Sequence, residues 1–220
     1  MRMAELSDRS GITTATIKYY LREGLLRPGR RISATQAEYD EDHLRRLRLV
    51  RALIQVGRMP VATAREVLVA VEDESLDHHM RLGAAVWALP QGSTDAADGQ
   101  DEAARTARRR ADALLEELGW TMARQDGDRS PAYRTLVAAI AGLSRTGYPC
   151  DQGDLLAYGR LAGELAVTDL DMIERYGTAY EQIEAAVALT VLYEPVLLSL
   201  RRLAEAEESN RRFGDGGCDV

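Results

Sequence analysis

Apolar residues recur at helical spacing along most of the chain. In MAELSDRS, Met3 and Leu6 stand one turn apart, which predicts a short helix over residues 3–9 with Gly11 as a left-handed stop. Ile12 fills the turn, and Thr13 offers a hydroxyl as N-cap for a second helix. In that helix Ile17, Tyr20 and Leu21 fall at i, i+3 and i+4. Gly24 ends it. The next stretch, RPGRRISATQAEYD, combines a Pro-Gly turn with short polar runs and predicts a loop or a small two-stranded wing. Asp40 then caps an amphipathic helix carrying Leu44, Leu47, Val50 and Leu53/Ile54 on one face, which stops at Gly57. Pro60 opens a further helix with Val61, Ala64, Val67, Leu68 and Val71 in line.

Beyond Val71 the pattern predicts a helix within 75–89, on a stripe of Leu76, Met80, Gly83 and Val86/Trp87, and a break at Pro90 and QGSTDAADGQ. Residues 101–119 repeat the amphipathic pattern with Ala104, Ala107, Ala111, Leu114/Leu115 and Leu118. ARQDGDRSP reads as a loop. Helices follow over 131–145, 152–166 and 178–208, the last apolar nearly all round and therefore expected to be central, buried and bent at Pro195. The end, RRFGDGGCDV, shows no periodicity and is expected to be loose.

The fold class is therefore mainly α, in two domains: a head over 1–71 and a helical body over 72–220. Charge sharpens that division. The chain carries a net −7, yet residues 1–71 hold 13 Lys and Arg against 8 Asp and Glu, and the rest holds 15 against 27. A basic head on an acidic body points to a polyanion-binding module joined to something else. No run of about 18 apolar residues is read here and no apolar signal core follows MRMAEL, so no membrane partner and a cytoplasmic location are expected. Cys150 and Cys218 lie far apart without a paired spacing, which fits a reducing compartment better than a structural disulfide.

The second helix raises the functional question. Opposite its apolar stripe lie Thr14, Lys18 and Arg22, with Tyr19 beside them. Hydroxyl, ammonium and guanidinium groups on one face all donate to phosphate or base acceptors. A short helix, a tight turn, a helix with such a face and then a basic wing is the arrangement of a winged helix-turn-helix, whose second helix enters the major groove.

These residues carry a resemblance. MRMAELSDRSGITTATIKYYLREGLLRP…YDEDHLRRLRLVRALIQVG resembles the DNA-binding head of MerR-family transcription regulators, over residues 1 to about 71. The family pattern T-I-[RK]-Y-Y-x-x-x-G-L-L falls on Thr16, Ile17, Lys18, Tyr19, Tyr20, Gly24, Leu25 and Leu26. The tyrosine and the D-x-x-x-L-x-x-L helix that follow the wing fall on Tyr39, Asp40, Leu44 and Leu47. The resemblance implies a homodimer on a palindromic promoter site, which bends and untwists the DNA so that RNA polymerase can meet both promoter elements. The expected DNA-binding residues are Thr13, Thr14, Thr16, Lys18, Tyr19, Arg22, Arg30, Arg31 and Tyr39. Where the family's wing carries a Tyr-Arg pair, this chain has Gln36 and Ala37, and Arg30 with Arg31 is expected to take over the phosphate contact.

Other readings stay open at this stage. Tyr20 belongs to the core. The basic face with Arg45, Arg46 and Arg48 fits a solvated helix as well as phosphate contact. Adjacent His78 and His79 point to different sides of a helix, so no metal and no cofactor are expected. The body's aromatics Trp87, Trp120, Tyr133, Tyr148, Tyr158, Tyr176, Tyr180 and Tyr193 suit either a pocket for an apolar small-molecule effector or an ordinary core. Dimer pairing is expected through 75–89, 101–119 or both. No Ser-His-Asp grouping, phosphate loop or H-E-x-x-H run supports an enzyme. The alternative function is a DNA-binding regulator without a small ligand, whose body binds another protein.

Overall fold

The computed structural model describes residues 1–33, 36–90 and 102–214. The helices are α1 (Met3–Ser10), α2 (Thr14–Arg22), α3 (Glu41–Arg51), α4 (Val61–Glu72), α5 (His78–Trp87), α6 (Glu102–Glu117), α7 (Thr121–Asp126), α8 (Pro131–Thr146), α9 (Gln152–Ile173) and α10 (Ala179–Phe213). Strands β1 (Arg30–Arg31) and β2 (Ala37–Glu38) form an antiparallel ribbon. Packing divides the chain into two compact units, one made of Met1–Glu72 with the chain from Ile183 on, the other of Asp73–Gln182.

The first unit follows its sequence signals closely. Gly11 ends α1 at φ +66 and Gly24 follows α2 at φ +71, conformations in which a Cβ would be strained. Thr13 caps α2, its side chain accepting from the Thr16 amide. Asp40 caps α3 in a reciprocal capping box with His43. The core collects Leu6, Ile17, Tyr20, Leu25, Leu26, Leu44, Leu47, Val50, Leu53, Val67 and Leu68, all at most 3% exposed. Beyond Arg51 the helix widens into a π turn over Ala52–Val56 before Gly57. That turn was not foreseen, and Gly57 does more than stop a helix: a Cβ there would stand 2.7 Å from Val191 Cγ1 on α10.

Residues Ile183 to Val187 of α10 are buried in this unit, and Arg45 Nε faces the buried Glu184 carboxylate at 3.7 Å. From Tyr193 on, however, Val196, Leu197, Leu198, Leu200 and Leu203 are all more than 40% exposed. The expected central, buried helix is thus buried only in its first half, and it runs on to Phe213 into the segment expected to be loose. It is also the one helix among the described residues long and apolar enough to cross a membrane, which corrects the expectation that no such run exists; Glu194 and Pro195 interrupt the apolar run in sequence, but the helix continues through them.

In the second unit α6 and α8 pack through Ala107, Ala111 and Leu115 against Tyr133, Val137, Ile140 and Ala141. The Tyr133 hydroxyl donates to Asp112 at 2.7 Å. Small residues let α9 approach: a Cβ on Gly159 would meet Leu118 Cδ1 at 2.5 Å. Three expectations change here. The 123–131 segment is mostly helical, α7 running to Asp126 and a 3-10 turn covering Gly127–Arg129. Helix α9 extends to Ile173 because nothing after residue 166 breaks it. On α5 the buried positions are Ala85, with Leu89 just beyond, whereas Met80 and Trp87 face out. The expected break at 91–100 and Cys218 lie outside the described residues. Cys150 is buried and free, its sulfur 2.7 Å from Arg110 Nη1.

Candidate nucleic-acid interface

Helix α2 presents two faces of opposite character. Ile17 and Tyr20 turn inward, at 0% and 3% exposure, and burial raises the Tyr20 phenol above its ordinary value. Thr13, Thr14, Lys18 and Arg22 are exposed, and Tyr19 is 37% exposed with its ring centroid 5.9 Å from that of Tyr20. Thr16 is half-buried, and its hydroxyl lies 2.9 Å from that of Thr13. The chain just beyond the C-terminal end of this helix is held by two arginines. Arg46, itself 8% exposed, donates from Nε to the Leu25 carbonyl at 3.1 Å, and Arg65 donates from Nε to the Glu23 carbonyl at 2.8 Å.

Ion pairing then sorts the basic residues of this unit. Arg9 is engaged by Glu41, Arg27 and Arg46 by Glu72, Arg30 by Glu38, Arg45 by Asp42 and Arg65 by Glu23. Lys18 and Arg22 take part in none of these pairs among the described residues, so their charges face solvent uncompensated. Arg45 and Arg46, read from sequence as solvated or phosphate-binding, are occupied within the fold. Arg48 on the same helix is exposed.

On the ribbon, Arg30 stands directly opposite Glu38 and Arg31 opposite Ala37; both arginines are exposed. Tyr39 is 6% exposed, its ring edge-on to His43 at 5.2 Å, and burial raises its phenol. Its backbone carbonyl accepts from the Met1 ammonium at 2.6 Å. The hydrogen bond with His43 holds the Asp40 carboxyl below its usual range, and Arg9 does the same for Glu41. An open hollow of about 470 Å³ between ribbon and α1 is lined by Glu5, Arg9, Arg30, Glu38, Asp40 and Glu41 among others. Its charge is mixed, unlike that of α2. Sequence reasoning had no signal for the bracing role of Arg46 or for Glu38 opposite Arg30, because both depend on pairing across elements.

Of the body's aromatics, Tyr133 is a core residue bonded to Asp112, whereas Trp87, Trp120, Tyr148, Tyr158 and Tyr176 are at least 37% exposed. Tyr193 belongs to the first unit.

The family model of the MerR HTH regulatory proteins matches residues 1–70. The HTH-type transcriptional regulator ZntR homolog of Haemophilus influenzae is 38% identical over 50 residues, which span 23% of this chain and 37% of that relative. The crystal structure of SCO5550 from Streptomyces coelicolor A3(2), a protein proposed to be a transcriptional regulator, covers 99% of this chain and is itself covered completely, with 55% identity and a TM-score of 0.85. The family match falls on the head that carries this turn, this capped second helix and this cationic face, and through it the chain belongs to the MerR helix-turn-helix family of DNA-binding transcriptional regulators.

Proposed function

We propose that the protein binds a palindromic site in promoter DNA as a homodimer, each copy laying α2 in a major groove, and that it distorts the DNA to set how RNA polymerase engages the promoter. The observation that carries this reading is the uncompensated Lys18–Arg22 face on a helix braced by Arg46 and Arg65. Thr13, Thr14, Thr16 and Tyr19 flank that face and supply further donors, while Arg31 and Arg30 grip phosphate from the ribbon. Buried Tyr39 acts by fixing the ribbon's base. Deformation costs roughly 1–10 kcal/mol, which backbone contacts of this kind must supply.

The exposed stripe of α10 supports the homodimer. Tyr193, Val196, Leu197, Leu200 and Leu203 follow helical spacing at 44–63% exposure. The stripe is nearly symmetric about Leu200: Leu197 mirrors Leu203, and Val196 mirrors Ala204. Two antiparallel copies would therefore oppose apolar with apolar. The pairing differs from the expected use of 75–89 or 101–119. An apolar effector of the body is supported by the exposed Tyr158, Leu161, Val167 and Leu170 on α9. A location in the cytoplasm follows from the reading.

Footprinting on the chain's own upstream region tests the whole. Two protected half-sites centred about 34–36 Å apart, or a multiple of that, are expected, with enhanced cleavage between them where the duplex is bent. Uniform protection that vanishes with competitor DNA would leave only nonspecific attraction and end the reading.

A further inference from the structure

The cations of α2 and those of the ribbon are not equivalent. Among the described residues Lys18 and Arg22 are in no ion pair, whereas Arg30 is held by a carboxylate that stands directly across the two-stranded ribbon from it. Directly opposed residues share one face of a ribbon, so a phosphate approaching Arg30 also approaches Glu38. We propose that Glu38 sets the affinity of the head for DNA: it holds Arg30 across the ribbon, and Arg30 reaches a phosphate only by exchanging that carboxylate for it. The inference rests on the DNA reading above and adds a specific opposing residue to it.

Three features of the ribbon decide which partner moves. The β2 strand is fixed at its backbone, since the Met1 ammonium donates to the Tyr39 carbonyl at 2.6 Å and the Tyr39 amide donates to the Met1 carbonyl at 2.8 Å. Gly29 lies so close beneath it that a Cβ would sit 2.6 Å from the Glu38 carbonyl oxygen and 2.9 Å from the Tyr39 ring. The Arg30 side chain, by contrast, is 78% exposed against 41% for Glu38. The guanidinium is the free end of the pair and the carboxylate the anchored end.

The exchange is chemically feasible. An exposed Arg–carboxylate pair is weak, and a planar guanidinium fork fits phosphate in two parallel hydrogen bonds. Once Arg30 has turned to phosphate, however, the Glu38 carboxylate remains within a Debye length of the DNA backbone with its charge uncompensated. Arg30 also keeps that carboxylate below its ordinary range in the free protein, so it is ionised at neutral pH. The ribbon thereby carries a brake on nonspecific sticking.

The test measures binding to a duplex of the chain's own upstream region, with a mixed-sequence duplex of equal length as control, between about 50 and 200 mM salt. Wild type, E38Q, R30A and the double variant R30A/E38Q are compared, each checked by its melting temperature. E38Q is expected to bind roughly 2–5-fold tighter to both duplexes, with a salt slope steeper by up to ~0.9. In the R30A background the same change relieves only the direct repulsion between the carboxylate and the DNA, so its gain should be clearly smaller. Affinity and slope of E38Q equal to wild type would overturn the proposal, and so would an equal gain in the R30A background, which would mean that Glu38 acts without Arg30. Failure of the wild type to bind either duplex at the lowest salt would instead bring down the DNA reading itself, and the inference with it.

Discussion

Arg46 and Glu72 meet at 2.8 Å, Nη2 to Oε1, with the arginine side chain only 9% exposed. The same carboxylate reaches Arg27 at 3.0 Å through Oε2, and Arg46 Nε holds the Leu25 carbonyl. Three elements of the head are thus tied together at one point: the turn after α2, the middle of α3 and the end of α4. Removing Arg46 leaves Glu72 with one exposed partner and the Leu25 carbonyl without its donor. Arg46→Ala is expected to lower unfolding stability by about 2–4 kcal/mol, read from urea midpoints at constant slope. An unchanged midpoint would mean that the packing of α2 does not depend on this tie.

Gly57 makes a second case. Besides Val191 Cγ1 at 2.7 Å, an added Cβ would meet the Leu53 carbonyl oxygen at 2.8 Å. A side-chain methyl can give way and a carbonyl in a π turn cannot. Gly57→Ala should therefore cost about 1–3 kcal/mol, and Val191→Ala should recover only part of that loss. Full recovery in the double variant would show that the carbonyl contact carries no strain.

The head was legible because its signals are local. Thr13 as a cap, Gly11 and Gly24 at positive φ, Asp40 opening α3 and the apolar stripe of Ile17 and Tyr20 each concern residues within one or two turns. What remained hidden was set by partners distant in sequence. Arg46 reads as one more cation on a basic helix until Glu72 is placed beside it. In the same way α10 is apolar enough to suggest a buried element throughout. Only the packing of Ile183 to Val187, with Tyr193 onward exposed, shows that the burial covers half of it. On the candidate interface the α2 face was visible in the spacing of Lys18 and Arg22, whereas the counter-charge on Arg30 was not.

If Lys18 and Arg22 grip phosphate, losing both should remove about two counterions from the binding equilibrium. Lys18→Ala with Arg22→Ala is expected to flatten the slope of log K against log salt by about 1.8. Both side chains are exposed and, among the described residues, in no ion pair, so the melting temperature should stay within experimental error of the wild type. Equal slopes for variant and parent would move the interface off this face.

Acid should loosen the head in a predictable direction. Glu38, Asp40 and Glu41 all have carboxyls held below their ordinary values, by Arg30, His43 and Arg9 respectively. A depressed folded-state value means that the stabilisation is complete above the unfolded range near about 4 and is lost as pH falls through the lower folded values. The melting temperature should be flat from neutrality to about pH 5 and fall below about pH 4. Asp40→Asn keeps a cap acceptor for α3 but cannot titrate, so its acid limb should be shallower. Superimposable limbs would exclude Asp40 from the transition.

The exposed half of α10 gives the last prediction. Leu200 sits at the centre of the mirrored stripe and is 58% exposed, so a charge there costs one copy little. Across an antiparallel pair it would place two carboxylates face to face in an apolar seam. Leu200→Glu is therefore expected to shift the protein to a monomer in light scattering while the melting transition of the separate copy survives, and Leu200→Met should remain paired. The same variant separates a further use of this helix, whose apolar window has a mean hydropathy of 1.7 and would suit a bilayer by composition. A membrane role predicts binding of wild-type protein to neutral lipid vesicles and its loss in Leu200→Glu. Burial of Ile183 to Val187 in the same unit as the head argues against it, because those residues would have to leave that core to enter lipid. A wild type that is monomeric at micromolar concentration would refute the paired α10, whatever it does with vesicles.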